Sequence, residues 1–408
     1  MRNRKKQLKQ FLFIGSCFMS LIVSGQSLEE YLNIAKKNNP VIKAANYKYQ
    51  SVLEKTNEVS SLGNTNIGVG YFLQEVETRV GSQKAKLSVS QEVPWFGTLA
   101  AKRKSILLAS KAELNEVELI KNRLFFEVEK SYFNLYELKA LIAVYTETLV
   151  LLKIYEKLAL TEFENNKISM IDVLKIRIEI NQIINQIETS EMVLKSYKKT
   201  FNVLLNRDEN TLVIVPNSLL IQEEFLNNNV KENTGIIKLE NLQLALKQSE
   251  IATQKEGLPK IGVGLDYIFV SNISNVNLTG NGKDIIMPML SVSLPIFSKK
   301  YTSKRKQLQL EQKEIAYKKK SLVNRLSSQF DVAKTKLINA KLKIETQDKN
   351  IKQVVIAQKV ALISYEAGKM SFEQIIELEQ LKLKLQLEKI ANTKIMAIQN
   401  SRLNFLTK

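Results

Sequence analysis

An internal duplication limits what this chain can fold into. Ile67-Gly68-Val69-Gly70 recurs as Ile261-Gly262-Val263-Gly264, and Leu87-Ser88-Val89-Ser90 as Leu290-Ser291-Val292-Ser293. Further on, the register locks without a gap at an offset of 202 (304 − 102). Lys102-Arg103-Lys104 returns as Lys304-Arg305-Lys306, Lys139 as Lys341, Ala159-Leu160 as Ala361-Leu362, Glu164 as Glu366, Lys167 as Lys369 and Ser169 as Ser371. A repeat of this kind assigns each half the same order of elements.

Period and punctuation give that order. Ser27 with Glu30 three positions on forms a capping box, opening a helix broken or bent near Asn38-Asn39-Pro40 and continuing to about residue 60. Residues 66 to 76 then alternate, with Ile67, Val69, Tyr71 and Leu73 on one face, as do residues 84 to 93, with Leu87 and Val89 opposite Lys86, Ser88 and Ser90. The second half repeats the hairpin with Ile261, Val263, Leu265, Tyr267 and Phe269, then Leu290, Val292 and Leu294. Pro94 and Pro295 stop the second strand of each pair, since proline cannot continue a ladder, and turn the chain into a helix.

With only 14 Gly and 6 Pro in 408 residues, turns must be few. From Thr98 to Asn165 neither residue occurs, and a helix of that length rises roughly 100 Å, longer than any compact domain needs. The chain then turns at Asn165-Asn166-Lys167-Ile168, and Ser169 with Asp172 caps a returning helix to about Asn206. The second half matches: a long helix from about Lys299 to Ala367, Gly368 as the stop, and Ser371 with Gln374 as the box. The expected organisation is a signal segment over residues 1–25, a first repeat over 26–206, a connector over 207–235 holding one short strand-like run from Leu212 to Val215, and a second repeat over 236–408.

The start has the tripartite form of a secretory signal: Arg2, Arg4, Lys5, Lys6 and Lys9, an apolar run from Phe11 to Val23, then Ser24-Gly25 before an expected cleavage ahead of Gln26. Cys17, the only cysteine, lies within it, and Ile14-Gly15-Ser16-Cys17 has the form of a lipidation box preceded by a short apolar run. Removing this segment lowers the formal charge from +19 to +14. The absence of His removes imidazole acid/base chemistry and most zinc sites, so an enzyme is not expected, nor a metal or other cofactor. Lysine runs such as Lys318-Lys319-Lys320 read as solvated helix face, and no recognition motif points to nucleic acid. Gly68 and Gly70 sit inside an alternating strand, which makes them strand positions rather than a phosphate loop.

Four strands of about ten alternating residues match the span and pattern of an outer-membrane barrel strand. In lipid every backbone polar group must be paired, so a four-stranded open sheet is excluded and only a closed barrel survives. One chain cannot close it. Two copies would give 8 strands and an interior largely filled by side chains, whereas three would give 12 and room for a conduit; either would bury the apolar stripes of the long helices between neighbours.

This order of elements resembles the TolC-like outer membrane efflux proteins over nearly the whole mature chain. The resemblance is carried by Ser27-Leu28-Glu29-Glu30 through Asn39-Pro40, by Pro94 and Pro295, by the repeat, and by Tyr365-Glu366-Ala367-Gly368-Lys369-Met370-Ser371 ahead of Ile375-Ile376. Asn165-Asn166 stands where such proteins commonly carry Gly. The resemblance implies a mainly α fold with β: a homotrimer with a 12-stranded transmembrane barrel, four strands per chain, continued by a long periplasmic α-helical barrel. It implies an exit duct in the bacterial outer membrane, serving a tripartite efflux or type I secretion system through a periplasmic adaptor and an inner-membrane transporter. It places adaptor docking at the periplasmic tips, Asn166, Lys167, Ile168 and Ser169 with Gly368, Lys369, Met370 and Ser371, where Ile168 and Met370 are expected to be exposed. The plainer role of these residues is helix capping. An acidic constriction falls on Asp172, Glu373 and Glu377, although Asp172 also occupies a capping position. Lys84, Lys86, Glu92 and Asp266 would face the pore, with an exposed loop as the alternative place for Lys84. The competing architecture is a periplasmic coiled-coil adaptor or stalk, which leaves the four strands without a purpose.

Overall fold

The computed structural model describes residues 27–219, 229–297 and 299–408. The expected signal segment, Cys17 and Ser298 lie outside the described residues. The chain is mainly helical with one antiparallel sheet. Its elements are α1 (Leu28–Asn38), α2 (Pro40–Ser60), β1 (Asn66–Thr78), β2 (Gly81–Val93), α3 (Thr98–Glu164), α4 (Met170–Leu204), a 3-10 turn (Val230–Glu232), α5 (Thr234–Glu256), β3 (Lys260–Val270), β4 (Ile285–Ser293), α6 (Lys299–Glu366) and α7 (Phe372–Thr407). Two compact units form, each drawing on both halves of the sequence, and α3 and α6 contribute to both.

One unit gathers residues up to 39, 123–226 and 332–405. The Ser27 hydroxyl accepts the Glu30 amide and opens α1, while Asn39 leaves the helix with extended geometry so that Pro40 can start α2. Tyr31 is fully buried, edge-on to Phe201 at 5.0 Å and tilted against Tyr132 at 5.9 Å. Its hydroxyl donates to the Ile214 carbonyl (3.2 Å) and accepts the Ile214 amide (2.9 Å). Leu212 to Val215 forms no regular element and is not a strand. Its polar groups are taken by side chains instead of a ladder: Tyr31 at Ile214, Lys139 at the Val215 carbonyl and Arg207 at the Leu212 carbonyl. Val213 and Val215 bury their side chains here. Buried Asn202 donates to the carbonyls of Glu209 and Thr211 and accepts from Arg207, so its desolvation is offset by three bonds.

The other unit gathers residues 40–122, 227–331 and 406–408 and contains the sheet, ordered β1-β2-β3-β4 with every neighbour antiparallel. β1 and β2 each run 13 residues, longer than their alternating cores. Beyond an irregularity between Tyr71 and Val76, the pairs Val76 with Gln83 and Glu77 with Ser82 carry the hairpin on, and their polarity hid that extension in the sequence. Pro94 follows β2 directly, and α3 opens at Thr98, whose amide and hydroxyl both donate to the Trp95 carbonyl (3.0 and 2.6 Å). Pro295 follows β4 one residue later, after Leu294, ahead of α6 at Lys299.

Candidate functional site: two helical turns and a two-faced sheet

The turn between α3 and α4 and the turn between α6 and α7 are built alike. Asn166 has φ 56° and Gly368 φ 67°, the left-handed conformation that ends a helix. The Asn166 amide bonds the Phe163 carbonyl (2.9 Å) and the Lys167 amide the Glu162 carbonyl (2.9 Å). Gly368 bonds Tyr365 (2.9 Å) and Lys369 bonds Ser364 (2.9 Å). These are two Schellman motifs in the register of the repeat. Asn supplies at small cost what Gly supplies in the second copy. Ser169 caps α4 in a reciprocal box: its hydroxyl accepts the Ile171 amide, and the Asp172 carboxylate accepts the Ser169 amide at 3.1 Å. α7 starts directly after Ser371.

Ile168 and Met370, expected to be exposed, are half-buried. Both fold back on the apolar cluster of Leu152, Val173, Ile176, Ala361, Phe372 and Ile375, among others. The Schellman turn explains this, because it directs the residues just past it onto the helices they leave. Asn166, Lys167, Ser169, Gly368, Lys369 and Ser371 remain exposed.

Behind these turns, α4 and α7 enclose a groove of about 250 Å³ lined by Asp172, Lys175, Glu179, Glu373, Glu377 and Gln380 among others. Four carboxylates stand here against one ammonium. Lys175 pairs with Glu373 at 2.5 Å, and Gln380 donates to Glu179 at 2.6 Å, fastening the two helices side by side. The Glu373 hydrogen bond, then its charge, raise the Lys175 pKa. Asp172 is half-buried in its cap, whereas Glu373 and Glu377 are exposed. Burial raises the Tyr365 pKa, and the Glu162 carboxylate adds to it.

Sequence reasoning expected apolar stripes on the long helices but did not locate the two that lie exposed in this unit. Ile171, Leu174 and Ile178 lie open on α4, and Ile356, Val360 and Ile363 on α6, in both cases at spacings of 3 and 4. Meanwhile Val173, Ile176, Ile180 and Ile183 of α4 are buried. α4 therefore presents two seams, one filled within the chain and one open. The spacing was visible in the sequence, but spacing alone cannot say which stripe a neighbouring helix of the same chain already covers.

The sheet has two chemically distinct faces. Its register aligns Ile67, Val89, Leu265 and Pro288 in one row and Val69, Leu87, Tyr267 and Ile286 in the next. Most of these side chains are exposed in the single chain. The opposite face carries Gly68, Ser88, Asp266 and Met287 in one row and Asn66, Ser90, Gly264 and Met289 in another, polar or small except on β4. There Lys86 pairs with buried Asp266 and Glu92 with Lys260, while Lys84 pairs with Glu75 at 3.7 Å where the ladders break register. β1 and β4 each have a neighbour on one side only, so both edges are open. Among the described residues no helix is long and apolar enough to cross a membrane, and no group of His, Cys, Asp or Glu is arranged to hold a metal ion.

No family model and no curated protein matches the chain. Solved structures do. The chain is similar to CusC, whose structures describe transmembrane channel formation, with 14% identity and a TM-score of 0.73 over 94% of this chain and 92% of that one. It is similar to the outer membrane protein VceC of Vibrio cholerae (12% identity, TM-score 0.73, 93% and 96%) and to the CmeC outer membrane channel of Campylobacter jejuni (14%, 0.71, 93% and 85%). This chain therefore has the TolC-like fold, the fold of these outer-membrane channels, over almost its whole length.

Proposed function

We propose that this protein is an outer-membrane exit duct built from three copies of the chain. Its substrate would pass from an inner-membrane transporter and a periplasmic adaptor to the outside, in a tripartite efflux or type I secretion assembly. One observation carries this reading: a four-stranded sheet with two open edges and one continuous apolar face left to solvent. In water that face and those edges are an aggregation hazard. In a bilayer the face is an asset, and the edges must be closed by strands from other copies. Three chains give 12 strands. The open seams on α4 and α6 then meet neighbours as coiled-coil stripes do, each half-exposed apolar side chain adding about 1 kcal/mol on full burial.

In this assembly Asn166 to Ser169 and Gly368 to Ser371 form the periplasmic tips where an adaptor docks, and the charges of Lys86, Glu92 and Asp266 face the conduit. Three copies of Glu373 and Glu377, with Asp172 behind them, set a ring of negative charge that favours cations and narrows the passage. The duct performs no covalent chemistry. Fractionation of the producing cell tests the reading. An outer-membrane protein released only by detergent agrees with it, whereas release by osmotic shock favours a periplasmic stalk.

A further inference from the structure

Where the sheet gives way to helices, the second unit holds a cleft of about 520 Å³, a size that takes a small molecule. Glu92 and Lys260 line it, and both stand at the end of the polar sheet face, in register with Gly262 and Ser293. In the duct that face turns to the conduit. What reaches the cleft is then what the conduit carries. Trp95 and Tyr301 offer aromatic surface in its walls.

The charge around the cleft is unbalanced. Five lysines stand against three carboxylates. Lys102 pairs with Glu256 and Lys260 with Glu92, which leaves Lys255, Lys300 and Lys304 facing Glu58. Among the described residues none of these three pairs with a carboxylate. Lys255 donates to the Phe96 carbonyl at 3.2 Å, Lys300 lies 6.0 Å from the Tyr301 ring centroid, and Lys304 donates to Gln307 at 3.2 Å. Gly97 admits the Lys255 ammonium, since a Cβ there would meet it at 2.7 Å. Lys300 and Lys304 are one turn apart on α6, a like-charge pair that costs the chain stability. A concave wall of one sign raises the local concentration of the opposite ion, and an anion here relieves a repulsion already present. The carboxylates of the two helical turns, which favour cations, belong to the other unit. Occupancy of the cleft is therefore a local property, separate from the ion selectivity of the conduit as a whole.

We propose that this cleft binds cargo carrying an aromatic ring and a carboxylate. Lys300 and Lys304 answer the carboxylate, Lys255 adds charge from a fixed position, and the ring lies on Trp95 or Tyr301. The proposal rests on the duct reading and deepens it by naming a class of cargo.

Trp95 is the only tryptophan in the chain, so its fluorescence reports on this place alone. Full-length protein is reconstituted in phosphatidylcholine vesicles and titrated with 4-nitrobenzoate or its uncharged analogue 4-nitrobenzamide, whose rings quench indole on contact. Two ammonium groups, screened by salt, predict saturation by the carboxylate at about tenfold lower concentration than by the amide. The difference should vanish in Lys300→Gln/Lys304→Gln and persist in Lys300→Arg/Lys304→Arg. Equal titrations for the two compounds overturn the proposal and leave the duct intact, as does a difference that survives the glutamine pair. Quenching of Trp95 by phosphatidylcholine brominated on its acyl chains would seat the cleft against lipid and also overturn it. Protein that fails to float with the vesicles overturns the duct reading, and the assignment of cargo with it.

Discussion

Replacing Val69 with lysine separates a lipid-facing sheet from a water-facing one. Val69 is 82% exposed in the single chain and sits in the row with Leu87, Tyr267 and Ile286. A lysine there displaces nothing, so no packing penalty confuses the result. If the row faces water, an exposed substitution changes stability by about 0.5 kcal/mol or less. If it faces hydrocarbon, the ammonium costs between about 1 kcal/mol per chain near the interface and about 2–4 kcal/mol at the midplane; Val69, three residues into β1, falls between these, and three copies in one barrel multiply the loss. Ser90→Lys is the control, because Ser90 lies on the opposite face between Asn66 and Gly264. Urea-dependent folding into preformed vesicles, followed through Trp95, measures both. The expected outcome is a large loss for Val69→Lys and little change for Ser90→Lys. Equal effects for the two, or a Val69→Lys value within 0.5 kcal/mol of the parent, would refute the assignment of the apolar face to lipid.

Other outcomes follow from the helical unit. Ser169→Ala should cost about 1 kcal/mol in denaturant unfolding, because it removes one arm of a formed capping box. Asn166→Gly should be close to neutral, whereas Gly368→Val should cost about 1–2 kcal/mol: φ 67° penalises a side chain although space is open there. Burial, reinforced by Tyr31, pushes the Tyr132 pKa up to about 12 from the usual 10.0. The folded chain thus keeps a proton that the unfolded chain releases, so stability is full below about pH 10 and falls as pH rises toward 12, by about 3 kcal/mol at most. Tyr132→Phe should flatten that alkaline decline in pH-dependent melting. Neutralising Asp172, Glu373 and Glu377 to their amides should lower cation over anion selectivity of the reconstituted duct in planar bilayers, and unchanged selectivity would remove them from the conduction path.

The element order was legible because each signal is local. Prolines end strands, alternation marks Ile67 to Leu73, and a Pro- and Gly-free stretch marks α3. Asn166 could be read as a helix stop because its side chain tolerates the left-handed conformation, as the φ of 56° bears out. The misreadings were non-local. Leu212 to Val215 had the composition of a strand, yet a strand needs a partner, and its backbone found Tyr31, Lys139 and Arg207 instead. Ile168 and Met370 looked exposed because turns usually are, but the apolar cluster beneath them comes from four helices far apart in sequence. The cleft beside Trp95 is assembled from residues 58 to 304, so no single segment announced it.

Native mass spectrometry of the detergent-extracted full-length protein tests the shared barrel most directly. Three chains per particle, with no folded population of lower mass, is the expected result. A stable folded particle containing one chain would mean that the sheet satisfies its edges and its apolar face without copies of itself, which would contradict the duct.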